Sequence, residues 1–285
     1  MKKRLVSAAG GLSVLVLAVL FFDTLLSNIL SAGICLLALY EIFKAADLLK
    51  YRVVTGVCGL FCVLILFLDT DAVSFYFSYL SYLLIVLLFG MLLKDHETLR
   101  VEQVAYSFLI SILLAVSFFC LILLKGQAGP QMGMFYMLII FGSAWWGDSG
   151  AYFVGSFFGK RKLCPEISRN KTVEGLIGGI FAAVLGNVLV CLAYQGFCNW
   201  VVPWGYIKNA VTVHIPAVAL VTPFAYFLGV LGDLSASVIK RQYGIKDFGN
   251  IMPGHGGAMD RFDSVLFISP LFYFIFNIYP LISAI

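Results

Sequence analysis

The chain has 285 residues, of which 61% are hydrophobic and 12% charged, with a formal net charge of +4. That charged share is about half the globular average, and a chain of this length has too few interior positions for so much apolar side chain. Disorder and an ordinary soluble domain are both excluded, and the apolar excess belongs in lipid, where a spanning helix takes about 20 residues.

Taken in chain order, the apolar runs predict nine spans, at 5–22, 24–43, 53–69, 73–93, 103–124, 133–156, 173–195, 212–232 and 264–284. The predicted fold is all-α, a polytopic membrane protein. Every Lys and Arg except Lys125 and Lys208 falls at the N-terminus or in alternate loops. The positive-inside rule makes that side cytoplasmic, with the N-terminus inside and the C-terminus outside. Lys2, Lys3 and Arg4 open the first apolar run. A second apolar run follows at once, so the first is read as an uncleaved span rather than a signal peptide. The seven cysteines have no metal-ligand spacing, and Cys58 and Cys62 read as small packing residues.

Residues 1–130 read as a scaffold of transmembrane helices. Glu41 is expected at a cytoplasmic helix end, reaching the interface or pairing with Lys44, and His96 in a solvated loop. Residues 131–285 read as the catalytic region, with polar cytoplasmic loops at 157–172 and 236–263. Asp148 and Asp233 lie within or at the edge of apolar spans, where an ionisable group marks function by default.

The second loop carries the most chemistry. If the eighth span continues as a helix, Asp233, Ser237, Lys240 and Arg241 fall at i, i+4, i+7 and i+8, on one face. Lys246 and Asp247 follow. Pro253-Gly254-His255-Gly256-Gly257 cannot be a helix interior, and its glycines permit close approach of backbone to a ligand. Asp260 and Asp263 then stand three apart at the start of the last helix, where they can share a cation and where helix-start N–H groups can take phosphate oxygens. Carboxylates with a hydroxyl suit Mg²⁺, and Lys and Arg beside them suit phosphate. The set predicts Mg²⁺-dependent phosphate transfer at the cytoplasmic membrane surface. In the first loop, Lys160, Arg161, Lys162, Arg169 and Lys171 form a basic patch for phosphates or anionic lipid. Gly155 and Gly159, and Gly175 and Gly179, have the small-xxx-small spacing of helix packing.

Residues 237–263 resemble the signature of the phosphatidate cytidylyltransferase family, also called CDP-diacylglycerol synthase. Ser237, Lys240, Arg241, Lys246, Asp247, Pro253, His255, Gly256, Gly257, Asp260, Arg261 and Asp263 fall in register with it. Met252 and Ala258 depart mildly at apolar positions. Upstream, Asp148, Ala151 and Tyr152 resemble the family's Asp-x-x-Ala-Tyr motif. Ser168, Lys171, Thr172, Glu174 and Gly175 resemble its Ser-Pro-x-Lys-Thr-x-Glu-Gly stretch, with Arg169 in place of Pro.

The resemblance implies that CTP and phosphatidic acid are joined into CDP-diacylglycerol and pyrophosphate, in phospholipid biosynthesis. It implies Mg²⁺ at Asp233, Asp260 and Asp263, with a place for a second cation. Lys240, Arg241 and Lys171 would neutralise phosphates, and Ser237 would bind phosphate or metal. Asp148 would contact metal or nucleotide. Ser168, Thr172, Lys246, Gly256, Gly257 and Arg261 would line the substrates. His255 would meet the leaving pyrophosphate or brace the turn. Expected partners are CTP, phosphatidic acid and membrane lipids, with no nucleic acid; a homodimer is compatible. A bacterial cell membrane is the expected location, with the site facing the cytoplasm. The alternative is a CTP-dependent lipid-alcohol kinase of the dolichol kinase type, in which Asp247 or Asp148 would act as base. An ion-coupled transporter fits less well, because its acids would spread through matched halves near the midplane.

Overall fold

The computed structural model describes residues 24–68, 73–204, 209–249 and 256–284. The first predicted span, Lys208, Pro253 and His255 lie outside the described residues. Helices dominate: α1 (Leu25–Ala45), α2 (Arg52–Leu66), α3 (Val73–Lys94), α4 (Val101–Phe158), α5 (Val173–Val201), α6 (Ile215–Gln242), α7 (Met259–Phe262) and α8 (Val265–Ile278). Among the described residues, five helices are long and apolar enough to cross a membrane, and α2 and α8 are shorter apolar helices. Helices suit this composition because a backbone in lipid must satisfy its own N–H and C=O groups. The chain is a helical, multi-pass membrane protein.

Two predicted spans, 103–124 and 133–156, are the two arms of the 58-residue α4. Gly129, at φ 76° and ψ 168°, breaks it, and Pro130 follows. Glycine tolerates that left-handed φ, and proline there lacks the N–H a continuous helix would need. The chain folds into two compact units. One comprises residues 1–127 with 239–262, the other residues 128–238 with 263–285.

In the first unit, Cys35, Ala38, Ile42, Cys58, Cys62, Ile65 and Leu114 are buried. The Cys62 thiol donates to the Ser111 carbonyl at 3.7 Å, so the cysteines of α1 and α2 pack as small side chains. Lys125 closes the far end of the bundle. Its ammonium donates to the Thr24 carbonyl, Ser27 Oγ and Asn28 Oδ1 at 3.1, 2.7 and 2.9 Å. Asn28 Nδ2 in turn donates to the Leu66 carbonyl at 3.2 Å.

In the second unit small residues let helices approach closely. A Cβ on Gly150 would overlap Ala182, and one on Gly147 would overlap the Tyr226 ring. Asn187, fully buried, ties three helices together. Its Nδ2 lies 3.3 Å from the Ile139 carbonyl, 2.9 Å from Ser143 Oγ and 3.1 Å from Thr222 Oγ1.

Among the described residues, two short two-stranded sheets depart from the predicted all-helical pattern. In the loop 157–172, β1 (Lys162–Cys164) pairs antiparallel with β2 (Ser168–Thr172). The last predicted span, 264–284, stops at Ile278 because Pro280 holds Tyr279 extended, at φ −150° and ψ 101°. The chain then forms β4 (Ile282–Ala284) against β3 (Val211–Val213). The Asn199 and Gln195 side chains accept from the β3 amides of Val211 and Val213, both at 2.9 Å.

Candidate active site

Helix α6 runs to Gln242, as the continued eighth span predicts, and carries Asp233, Ser237, Lys240 and Arg241. With about 100° per residue, Lys240 lies about 20° from Asp233 around the axis, whereas Arg241 lies about 80° away. Lys240 is accordingly buried and Arg241 exposed, so the shared face holds Asp233, Ser237 and Lys240 but not Arg241.

In the second unit Asp233 pairs with Lys171 of β2 through its Oδ2. Both side chains are about one-quarter exposed (27% and 25%), yet the ammonium nitrogen itself is buried and has no hydrogen-bond partner beyond that pair. Ser237 Oγ donates to Asp233 Oδ1 at 3.4 Å, one helical turn away. Lys171 is held in place by its neighbours in sequence. Thr172 caps α5, its Oγ1 accepting from Gly175 N–H at 3.0 Å. That oxygen serves the first turn, in the way N-cap residues do. Glu174 accepts the amides of Lys160 and Arg161 at 3.0 and 3.1 Å, and the Val173 amide donates to the Arg161 carbonyl at 2.9 Å. The Thr-x-Glu-Gly run therefore fastens the β1–β2 hairpin to a helix start. It delivers Lys171 to Asp233. Ser168 is half-buried opposite Cys164, and Lys160, Arg161 and Lys162 are exposed.

Asp148 is exposed on α4. Tyr226 is buried, with its ring over Gly147 and its hydroxyl at Gly179. A tyrosine inside an apolar run gives no functional signal by itself. The spacing of Gly175 and Gly179 hints at close packing there, but not at its partner. Asp263 is buried, and its Oδ1 accepts the Ser264 amide at 2.8 Å.

In the first unit Lys240 and Asp260 form an ion pair at 2.8 Å, with side chains only 11% and 6% exposed. Asp260 Oδ2 also accepts the amides of Phe248 and Gly257, at 2.9 and 3.0 Å. The Lys240 ammonium stands 5.4 Å from the Phe248 ring centroid, within cation–π range. Gly256 has φ 83°, a conformation that favours glycine. Lys246, Asp247 and Arg261 are exposed.

Glu41 does not sit solvated beside Lys44. It is buried, and its Oε2 accepts the Met259 amide at 2.9 Å. A Cβ on Gly249 or Gly257 would overlap its carboxylate. The Gly257 and Met259 amides, expected to be available for phosphate oxygens, are therefore directed at Asp260 and Glu41. Sequence reading misses Glu41 because its partner lies 218 positions away. A carboxylate flanked by Tyr40, Ile42 and Phe43 near the end of an apolar run is the available signal.

Among the described residues no three metal-ligating side chains form a group. Asp233 with the Ser237 hydroxyl one turn away is a donor pair of the kind a hard cation takes, and in this structure that carboxylate is paired with the Lys171 ammonium.

Comparison with known proteins agrees in extent and in kind. The model of the cytidylyltransferase family matches residues 2–279. A phosphatidate cytidylyltransferase of Bacillus subtilis is 35% identical over 249 residues, covering 85% of each chain. One of Staphylococcus saprophyticus is 31% identical over 271 residues, covering 95% of this chain and 97% of that one. One of Staphylococcus epidermidis is 44% identical over 139 residues, about half of each chain. With the match running through nearly every helix and both polar loops, the chain belongs to the cytidylyltransferase family.

Proposed function

We propose that this chain is a phosphatidate cytidylyltransferase, joining CTP and phosphatidic acid into CDP-diacylglycerol and pyrophosphate. The Lys171–Asp233 pair beside Ser237 is the observation that carries the reading: a buried ammonium with unused donors, just before the start of α5, suits phosphate oxygens. The names of relatives that span most of the chain support it.

The lipid phosphate is the nucleophile. Its second pKa is near about 6, so it is mostly ionised at neutral pH and needs no base. One of its oxygens forms a bond to the α-phosphorus of CTP, and the bond from that phosphorus to the bridging oxygen breaks, releasing pyrophosphate. The difficulty is bringing two polyanions together, and fixed positive charge offsets it. Lys171, partly buried in the second unit, and Lys240, buried in the first, are the cations expected to neutralise phosphates, with Arg241 and Lys246 exposed nearby in sequence. Asp233 and Asp263 with Ser237 in the second unit, and Asp260 in the first, are the expected ligands of Mg²⁺, which neutralises phosphate oxygens when bound. The bias of Lys and Arg between loops supports a cytoplasmic N-terminus, an external C-terminus and a site facing the cytoplasm. The bacterial relatives support a cell-membrane location.

The test uses purified protein in detergent with Mg²⁺ and CTP, given phosphatidic acid or diacylglycerol separately. CDP-diacylglycerol and pyrophosphate from phosphatidic acid alone are expected. Free CDP with a newly phosphorylated lipid would establish the kinase instead and overturn this reading.

A further inference from the structure

Glu41 is a buried carboxylate for which the reaction above has no use. It is 2% exposed on α1. Its Oε2 accepts the Met259 amide at 2.9 Å, and its Oε1 is buried with no hydrogen-bond partner. Gly249 and Gly257 press against the carboxylate so closely that neither has room for a Cβ. The segment from Gly256 to Asp260 is tied locally by the Gly257 amide to Asp260 Oδ2 and by the Arg261 amide to the Ala258 carbonyl, both at 3.0 Å. It holds a φ of 83° at Gly256 and leads into a helix of only four residues. Glycine-rich backbone of this kind has wide conformational freedom and stays in one place only when something outside it does the holding. Two carboxylates do so here. Asp260 takes the Gly257 amide from within the turn, and Glu41 takes the Met259 amide from a helix near the start of the chain.

We propose that Glu41 is a positioning residue for cytidylyl transfer. It anchors residues 256–260 and thereby places Asp260 against Lys240. The proposal rests on the cytidylyltransferase reading. It also assigns a function to Gly249, which the signature positions do not include: the glycine clears space for the Glu41 carboxylate.

The experiment compares wild type with Glu41→Gln, Glu41→Asp and Glu41→Ala, purified in detergent. It measures kcat, KM for CTP, and thermal unfolding. Gln keeps an acceptor at full reach and retains near-wild-type kcat. Asp falls one methylene short and lowers kcat by on the order of 10–100-fold, the usual effect of a small misplacement at a reacting centre. KM for CTP stays near the wild-type value in both. Gly249→Ala is then made in the wild-type and the Glu41→Ala backgrounds. It lowers the unfolding temperature in the first and has little effect in the second. Wild-type kcat in Glu41→Asp would overturn the proposal, as would equal kcat per folded molecule in the Gln and Asp variants. Equal destabilisation by Gly249→Ala in both backgrounds would overturn it too. The Gly249 coupling is independent of catalysis. Intact coupling in a protein that makes no CDP-diacylglycerol would defeat the cytidylyltransferase reading and leave the anchor standing.

Discussion

Replacing Asp260 with Asn tests whether this carboxylate is a fold contact as well as a catalytic group. Its Oδ1 lies 2.8 Å from the Lys240 ammonium, and its Oδ2 accepts two backbone amides. At that separation and an effective dielectric of about 20, the attraction is about 6 kcal/mol. Both side chains are nearly buried, so Asp260→Asn would leave Lys240 with only an amide dipole for its charge. The substituted amide also has a single acceptor atom for three donors. Removing one partner of a buried pair typically costs about 3–5 kcal/mol, and the retained oxygen places Asp260→Asn near the lower end. A metal ligand outside any core, which is all that the sequence indicates, would lose activity on this change and stay folded. The structure changes that expectation: activity is lost and stability falls as well. Thermal unfolding in detergent measures the second part, beside Lys240→Met and the double variant. Neutralising both partners should recover most of the lost stability while activity stays absent. If Asp260→Asn unfolds at the wild-type temperature, the pair does not hold the turn and the reasoning fails. Wild-type turnover would also remove Asp260 from the proposed Mg²⁺ ligands.

Lys171→Met should lower kcat per folded molecule by on the order of 100-fold, the usual loss on removing one charge-stabilising donor; unchanged kcat would exclude Lys171 from phosphate contact. Thr172→Val should cost about 1 kcal/mol through loss of the α5 N-cap, and Thr172→Ser should restore it, since the hydroxyl alone makes the bond to Gly175 N–H. Asn187→Leu removes the contacts to Ile139, Ser143 and Thr222 and should cost about 0.6–2 kcal/mol with KM unchanged, as read by thermal unfolding against initial rates.

The membrane class is legible because lipid imposes a one-dimensional rule: a long enough apolar run must become a helix. The runs at 24–43, 73–93, 173–195 and 212–232 all reappear as helices, the first two with ends within two residues and the last two running six and ten residues further. The helix face of Asp233, Ser237 and Lys240 is legible for the same reason, since helical periodicity is local. Arg241 shows the limit of counting by residues, because i+8 drifts off the face that i+7 keeps. The hairpin at 162–172 escapes a reading of the sequence because polar and charged residues in a loop carry no period. The early end of the last helix is signalled by Pro280, but hydropathy alone runs past it.

The sequence by itself determined a multi-pass helical protein, a polar C-terminal region rich in Asp and Lys, and the chemistry those residues suit. Local periodicity, apolar length and residue type are sufficient for each of these. Only the tertiary structure decided the pairings: Lys171 with Asp233, Lys240 with Asp260, and Glu41 with the Met259 amide. Each joins residues at least 20 positions apart, and a buried charge takes its partner from whatever the packing of helices brings near it.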